Sequence, residues 1–121
     1  MQDEGTYMST LPATGAITDV EPRVERNDED GRYEIRIGDV LGGFAEFEPD
    51  DSGRLVFLHT EIDPTLEGRG LGGLLVGEAM ADVARRGETV VPSCPFVVRF
   101  LRDREVPGLQ VEWPKRSEPA E

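Results

Sequence analysis

The stretch Glu67–Gly73, E-G-R-G-L-G-G, places four glycines within six positions from Gly68. It follows an apolar run, L-V-F-L-H-T-E-I (Leu55 to Ile62), and leads into L-L-V-G-E-A-M-A-D-V-A-R-R-G (Leu74 to Gly87). Glycine gives up more freedom on folding than alanine and costs stability inside a helix. Two readings explain so many of them here. Either a ligand comes close to this backbone, or the helix packs unusually close to its strand.

Downstream of the loop, Leu71, Leu75, Ala79 and Val83 recur every fourth residue with Leu74 beside them, predicting an amphipathic helix from Gly70 to Arg86. Arg85 and Arg86 suit the negative end of the helix dipole, and Gly87 suits its C-terminal cap. Upstream, Leu55 to Ile62 reads as a strand. Y-E-I-R-I-G alternates with Tyr33, Ile35 and Ile37 on one face, F-A-E-F-E (Phe44 to Glu48) is a further strand, and Val24 belongs to a short one before them. The turns between them are R-N-D-E-D-G-R and E-P-D-D-S-G, rich in residues that tolerate reversal dihedrals.

Beyond the helix, Thr89 to Val91 is a short strand, expected to lie parallel to the Leu55 strand through a crossover. Pro95 is placed to open a second helix, Phe96 to Arg102, with Phe96/Phe100 and Val97/Leu101 as i,i+4 pairs. P-G-L-Q-V-E-W-P (Pro107 to Pro114) reads as extended. The fold class is therefore α+β: an antiparallel strand meander followed by a β-α-β-α unit. Residues 1–22 and 113–121 are expected to be polar tails flanking one domain over 23–112.

The 121 residues suffice for one domain with a single core. A formal charge of −12 opposes non-specific binding of nucleic acid or anionic membrane, both of which need a positive surface. No apolar run approaches the ~20 residues of a membrane span, and no secretory signal is visible. The single cysteine, Cys94, excludes an internal disulfide and fits a reducing cytoplasm. With one histidine and one cysteine, no metal-ligand cluster is expected.

Gly68, Gly70 and Gly73 satisfy G-x-G-x-x-G, yet a dinucleotide loop follows its strand directly, and here Asp63 to Glu67 intervene. No G-K-[ST] follows, which removes the Walker A reading. An anion site stays open on other grounds. None of the 25 acidic residues lies between Gly68 and Gly77, so the helix would begin with free N–H groups, and Arg69 adds a positive charge.

Strand, H-T-E-I-D-P, glycine loop and helix together resemble motif A of the GCN5-related N-acetyltransferases (the GNAT fold), whose loop reads R/Q-x-x-G-x-G/A. Glu67 to Gly72 supplies that spacing, with Gly70 and Gly72 at the small positions. H-T-E-I-D-P followed by V-V-P-S-C-P-F-V is similar to the small Yjdj-type acetyltransferase-like subfamily, over roughly Val24 to Leu109. Two departures stand out. Glu67 replaces the family's Arg or Gln, so its carboxylate is expected to turn away from a pyrophosphate. R-D-R-E-V-P-G-L replaces a stretch that runs close to R-H-P-E-Y.

The resemblance implies a minimal GNAT fold that binds acetyl-CoA and transfers acetyl to an amine on a protein, peptide or small molecule. The pantetheine would pair near Ile62, between splayed strands. The pyrophosphate would lie on Gly68, Arg69, Gly70, Leu71, Gly72 and Gly73. Three side chains are candidates for the chemistry. Cys94, between Pro92 and Pro95, would sit at a helix N-terminus, where thiolate is favoured. His59 has the unperturbed pKa of a proton acceptor, and Glu61 shares its face by strand alternation. Each has a bland counterpart: a buried thiol, a sheet-face histidine, an exposed carboxylate. A CoA-binding module without turnover and a thiol-based protein are the rival functions.

Overall fold

A computed structural model describes residues 21–114. The two expected tails fall almost wholly outside this range, with only Glu21, Pro22, Trp113 and Pro114 inside it. Six strands form one sheet in sequence order: β1 (Arg23–Asn27), β2 (Arg32–Ile37), β3 (Val40–Pro49), β4 (Leu55–Ile62), β5 (Thr89–Pro92) and β6 (Gln110–Val111). The first four pair antiparallel, and β4/β5 and β5/β6 pair parallel. Helix α1 (Leu71–Arg85) makes the first parallel crossover and α2 (Pro95–Asp103) the second. The α+β architecture with its meander and β-α-β-α unit is the one expected.

Two steps in one direction along the sheet, each with the right-handed crossover that twisted strands impose, place both helices on the same face. That face holds the core. Tyr33, Ile35, Ala45, Phe47, Leu55 and Phe57 from the strands meet Leu71, Leu75, Val76, Ala79, Met80 and Val83 of α1, with Val97 of α2. Tyr33, Phe47 and Phe57 form an aromatic triangle with centroids 5.5–6.1 Å apart. The buried stripe of α1 differs from expectation at Leu74, which is 38% exposed, while Val76 and Met80 are buried. α1 is covered by sheet along one side and by α2 along only part of another, which leaves the Leu74 side open.

The far end of α1 is clipped to β1 and β2. The Tyr33 hydroxyl donates to Asp82 Oδ2 at 2.7 Å and accepts from Arg26 Nη1 at 3.2 Å. Arg26 also pairs with Glu88 Oε1 at 2.7 Å and lies over the rings of Tyr33 and Phe47. β3 begins at Val40, earlier than the Phe44 expected from its apolar alternation. In the sheet Gly42 is a bulge residue, because Ile35 faces Gly43 and Arg36 faces Leu41. Gly43 lies beneath Ile62, whose Cδ1 would stand 2.6 Å from an added Cβ.

Among the described residues no helix covers the opposite face of the sheet, yet one carboxylate is buried there. Glu34 is 4% exposed and accepts from Arg32 Nε (2.8 Å), Asn27 Nδ2 (3.1 Å) and Arg36 Nη2 (3.1 Å). Burial alone would raise its pKa, but these three donors outweigh burial and hold the carboxyl below its ordinary value. A lowered carboxyl pKa stabilises the fold above the unfolded value and is lost as pH falls through the folded one. Replacing Glu34 with Gln should therefore cost about 3 kcal/mol at neutral pH, since two arginines lose their charge partner. In acid denaturation followed by circular dichroism, the gap between the two proteins should narrow as pH drops below about 4.

Candidate functional site

The site begins where two paired strands part. β4 and β5 are matched at Leu55/Val90, Val56/Val91 and Phe57/Pro92, and there the pairing ends, although β4 runs on to Ile62. Both strands supply a cause. Pro92 and Pro95 lack N–H donors, and Pro95 at the first position of α2 turns the chain away from the sheet. The last link is a fork, with the Ser93 and Cys94 N–H groups donating to the Phe57 carbonyl at 3.1 and 2.9 Å. On the other side, β4 bulges. Phe47 faces Phe57 and Glu46 faces His59, so Leu58 is an extra residue with no partner on β3.

That bulge reverses the alternation of the outer half of β4. Counting by twos from Leu55 and Phe57 would turn His59 and Glu61 toward the core. With Leu58 inserted, Thr60 and Ile62 take the helix-covered face, opposite Ala45 and Gly43, and His59 and Glu61 take the open one. His59 Nε2 and Glu61 Oε1 are 3.0 Å apart, with side chains 54% and 59% exposed. Phe44 lies against the His59 ring at 6.2 Å.

On the helix-covered face the parted strands open a cavity of about 400 Å³. Its walls are Thr60 and Ile62 of β4, Leu66 of the short 3₁₀ turn Pro64–Leu66, and Phe96 of α2. Its end is the glycine loop: Glu67, Gly68, Gly70, Leu71, Gly72 and Gly73 line it, so Glu67, though exposed, borders the cavity. Arg69 does not line it. Cys94 is the N-cap of α2, buried at 3% exposure, and its Sγ lies 3.4 Å from Thr60 Oγ1. The candidate residues thus divide into the loop and Ile62 at the cavity, Cys94 behind its wall, and His59 with Glu61 across the sheet. Sequence reading missed Thr60, Leu66 and Phe96. Thr60 stands between His59 and Glu61 in the very motif that was quoted, and only the bulge shows which of the three faces inward.

The glycines separate into distinct roles. Gly68 and Gly70 hold φ of +85° and +77°, which side chains rarely adopt, so they are required by backbone shape. Gly72 is required by packing: a Cβ there would meet the Phe96 ring at 2.6 Å. Gly73 fits neither explanation. It has a helical backbone, and nothing lies within 4 Å of where its Cβ would be. It opens on the cavity and on an adjoining groove lined by Leu74, Gly77, Phe100 and Arg104. α1 starts without any side-chain cap and without an acidic residue in its first turn, leaving its leading N–H groups free for an anion.

A strand that parts from its parallel neighbour at a bulge and runs on past it, beside an uncapped glycine-rich helix start, is a frame for an extended anionic ligand. The profile of the family described as GCN5-related N-acetyl-transferase matches residues 32–106, which span β2 to the end of α2 and beyond. The chain belongs to the GCN5-related N-acetyltransferase family. No curated protein matches it. Family membership supports acyl transfer in general, and the glycine loop read in the sequence forms one end of the cavity.

The division of glycine roles is testable without a ligand. Gly72→Ala should lose about 1–3 kcal/mol through overpacking against Phe96, and its melting temperature should fall. Gly73→Ala should match or exceed the parent, by up to about 1 kcal/mol, because alanine is the better helix former. Equal losses in both would return Gly73 to a packing role.

Proposed function

We propose that the protein is an acetyl-CoA-dependent N-acetyltransferase, with the cosubstrate on the helix-covered side of the strand split and the acceptor amine approaching from the open side. The observation that carries this reading is Gly73, a helical glycine with no conformational or packing reason, placed where a ligand would need the room. The pyrophosphate would lie on the N–H groups of Leu71, Gly72 and Gly73, with Gly68, Arg69 and Gly70 forming the loop around it. The arm would follow Ile62 toward Thr60, replacing the strand pairing that β5 gives up at Pro92. Arg99 and Arg104, with Asp103 between them in sequence, line a further groove beside Gly73 and Phe96 and are the cations there for the nucleotide's remaining phosphate.

Acetyl-CoA supplies an activated acyl carbon. In the transfer the amine nitrogen bonds to that carbon, the carbon–sulfur bond breaks, one proton leaves the nitrogen and one reaches the departing thiol. His59 and Glu61 are the groups on the acceptor side that take a proton, held together by their 3.0 Å contact. Cys94 is buried and separated from the cavity by Thr60, an arrangement that favours direct transfer over an acetyl-cysteine.

Calorimetry with acetyl-CoA and with CoA, followed by mass analysis with spermidine and with a lysine-containing peptide as acceptors, tests the reading. Binding by the parent, weakened at least tenfold in Gly73→Val, and an acetyl-sized mass gain on an amine are expected. Glu61→Gln should lower transfer by about 10²–10³-fold with little change in acetyl-CoA affinity, in the range of a lost acid–base group. Cys94→Ala should retain a measurable part of the rate, which an obligatory acetyl-cysteine would not allow. Binding without transfer to any amine would leave a CoA-binding module, the alternative that Glu67 beside the cavity favours. No binding at all would remove both.

A further inference from the structure

One polar group in the cavity is not accounted for by the fold. Thr60 lies beyond the bulge, on the helix-covered face, between the apex of the strand split and Ile62. A hydroxyl has one hydrogen to donate and two positions at which to accept. The Thr60 oxygen accepts from the Cys94 thiol at 3.4 Å, and among the described residues its own hydrogen has no acceptor. Of the other side chains lining the cavity, Ile62, Leu66 and Phe96 are apolar and offer it none, and Glu67, which belongs to the glycine-loop end, makes no hydrogen bond to it among the described residues. A half-buried strand position with apolar neighbours would be filled as well by valine if only shape mattered.

We propose that Thr60 is a catalytic residue whose O–H donates to the carbonyl oxygen of the bound thioester, and that Cys94 is a positioning residue that fixes the hydroxyl's orientation. This rests on the reading that acetyl-CoA occupies the cavity. With its pyrophosphate at the glycine loop and its arm along β4, the acyl end arrives at the split, where Thr60 stands. As the amine nitrogen bonds to the carbonyl carbon, negative charge gathers on that oxygen, and a fixed donor in an apolar cavity stabilises it more than water would. The Cys94 thiol occupies one acceptor position of the hydroxyl, which leaves the hydrogen fewer directions. Burial of the sulfur behind Thr60 follows from that role and needs no thiolate.

The carbonyl itself reports the contact. Isotope-edited infrared spectra of acetyl-CoA labelled with ¹³C at the carbonyl should show, on binding the parent, a band at lower wavenumber than on binding Thr60→Val. Thr60→Ser, which keeps the hydroxyl, should restore the parent position. Cys94→Ala, which leaves the hydroxyl present but unanchored, should broaden the band, and it serves equally if the valine variant fails to fold. Transfer by Thr60→Val should fall by about a hundredfold, the usual loss for one such donor, with affinity for acetyl-CoA nearly unchanged. Identical band positions in parent and Thr60→Val, both shown by calorimetry to hold acetyl-CoA, would overturn the assignment while sparing the cavity reading. Absence of acetyl-CoA binding by the parent would overturn both.

Discussion

Everything that distinguishes this sheet follows from the backbone pairing that β4 and β5 abandon after Phe57 and Pro92. A parallel pair buried under helices would ordinarily continue, because each unpaired N–H and C=O away from water costs as much as a lost hydrogen bond. Here the continuation is blocked from both sides. Pro92 and Pro95 remove donors on one strand, and the Leu58 bulge shifts the other. The fork from Ser93 and Cys94 to the Phe57 carbonyl closes the paired part cleanly, so the strands part at one residue and do not fray over several. The edge of β4 beyond it is left with backbone groups that suit an extended ligand, the usual way an open strand edge recruits a partner.

The rest of the molecule holds that opening in place. The aromatic triangle, the Tyr33–Asp82–Arg26 cluster and the Glu34 network all lie in the strands before the split or at the far end of α1. They fix β2–β4 and α1 as one body. α2 then packs its Phe96 ring onto Gly72 and its Phe100 ring toward Gly77, so the start of α1 is held between strand and second helix. The small residues of α1 are therefore not all equivalent. Those against α2 permit contact, those with positive φ shape the loop, and Gly73 leaves space.

Much of this was legible in the sequence. The period changes at Gly70, the prolines around Cys94 and the capping pattern of α1 are local signals with local causes, and the elements they predict are present. The antiparallel meander and the parallel β4/β5 pair followed from connection lengths and the crossover, whereas the pairing of β6 beside β5 did not. What escaped was non-local. The strand expected from sequence begins only at Phe44, because the purpose of Gly42 and Gly43, room for Ile62 and Leu66, lies on another element. Leu74 read as core because periodicity cannot show that the helix has one open side. The bulge at Leu58 has no residue signature at all, since it is defined by what β3 fails to place opposite it. Yet this one insertion decides that Thr60 faces the cavity and that His59 and Glu61 face away. A motif quoted as H-T-E thus divides between two sides of a sheet.

That division also gives the acidic composition a role. With a charge of −12, the chain as a whole repels a polyanionic ligand, but at physiological salt a surface charge is felt over only about 8 Å. At the start of α1 there are free N–H groups and no first-turn carboxylate, and the adjoining grooves hold Arg99 and Arg104 together with Glu78 and Asp103, so the backbone donors carry the attraction. Short-range donors can therefore hold an anion on a protein that repels it from afar. On the open face Glu46, Glu48 and Glu61 stand on adjoining strands, and Glu34 is paired with Arg32 and Arg36. In the proposed reaction a protonated amine would be drawn to that face and would have to lose a proton before attacking, the task assigned there to the exposed His59–Glu61 pair. The glycine loop and the His59–Glu61 pair lie on opposite faces of the sheet, and the split after Phe57 is the place where the two can meet.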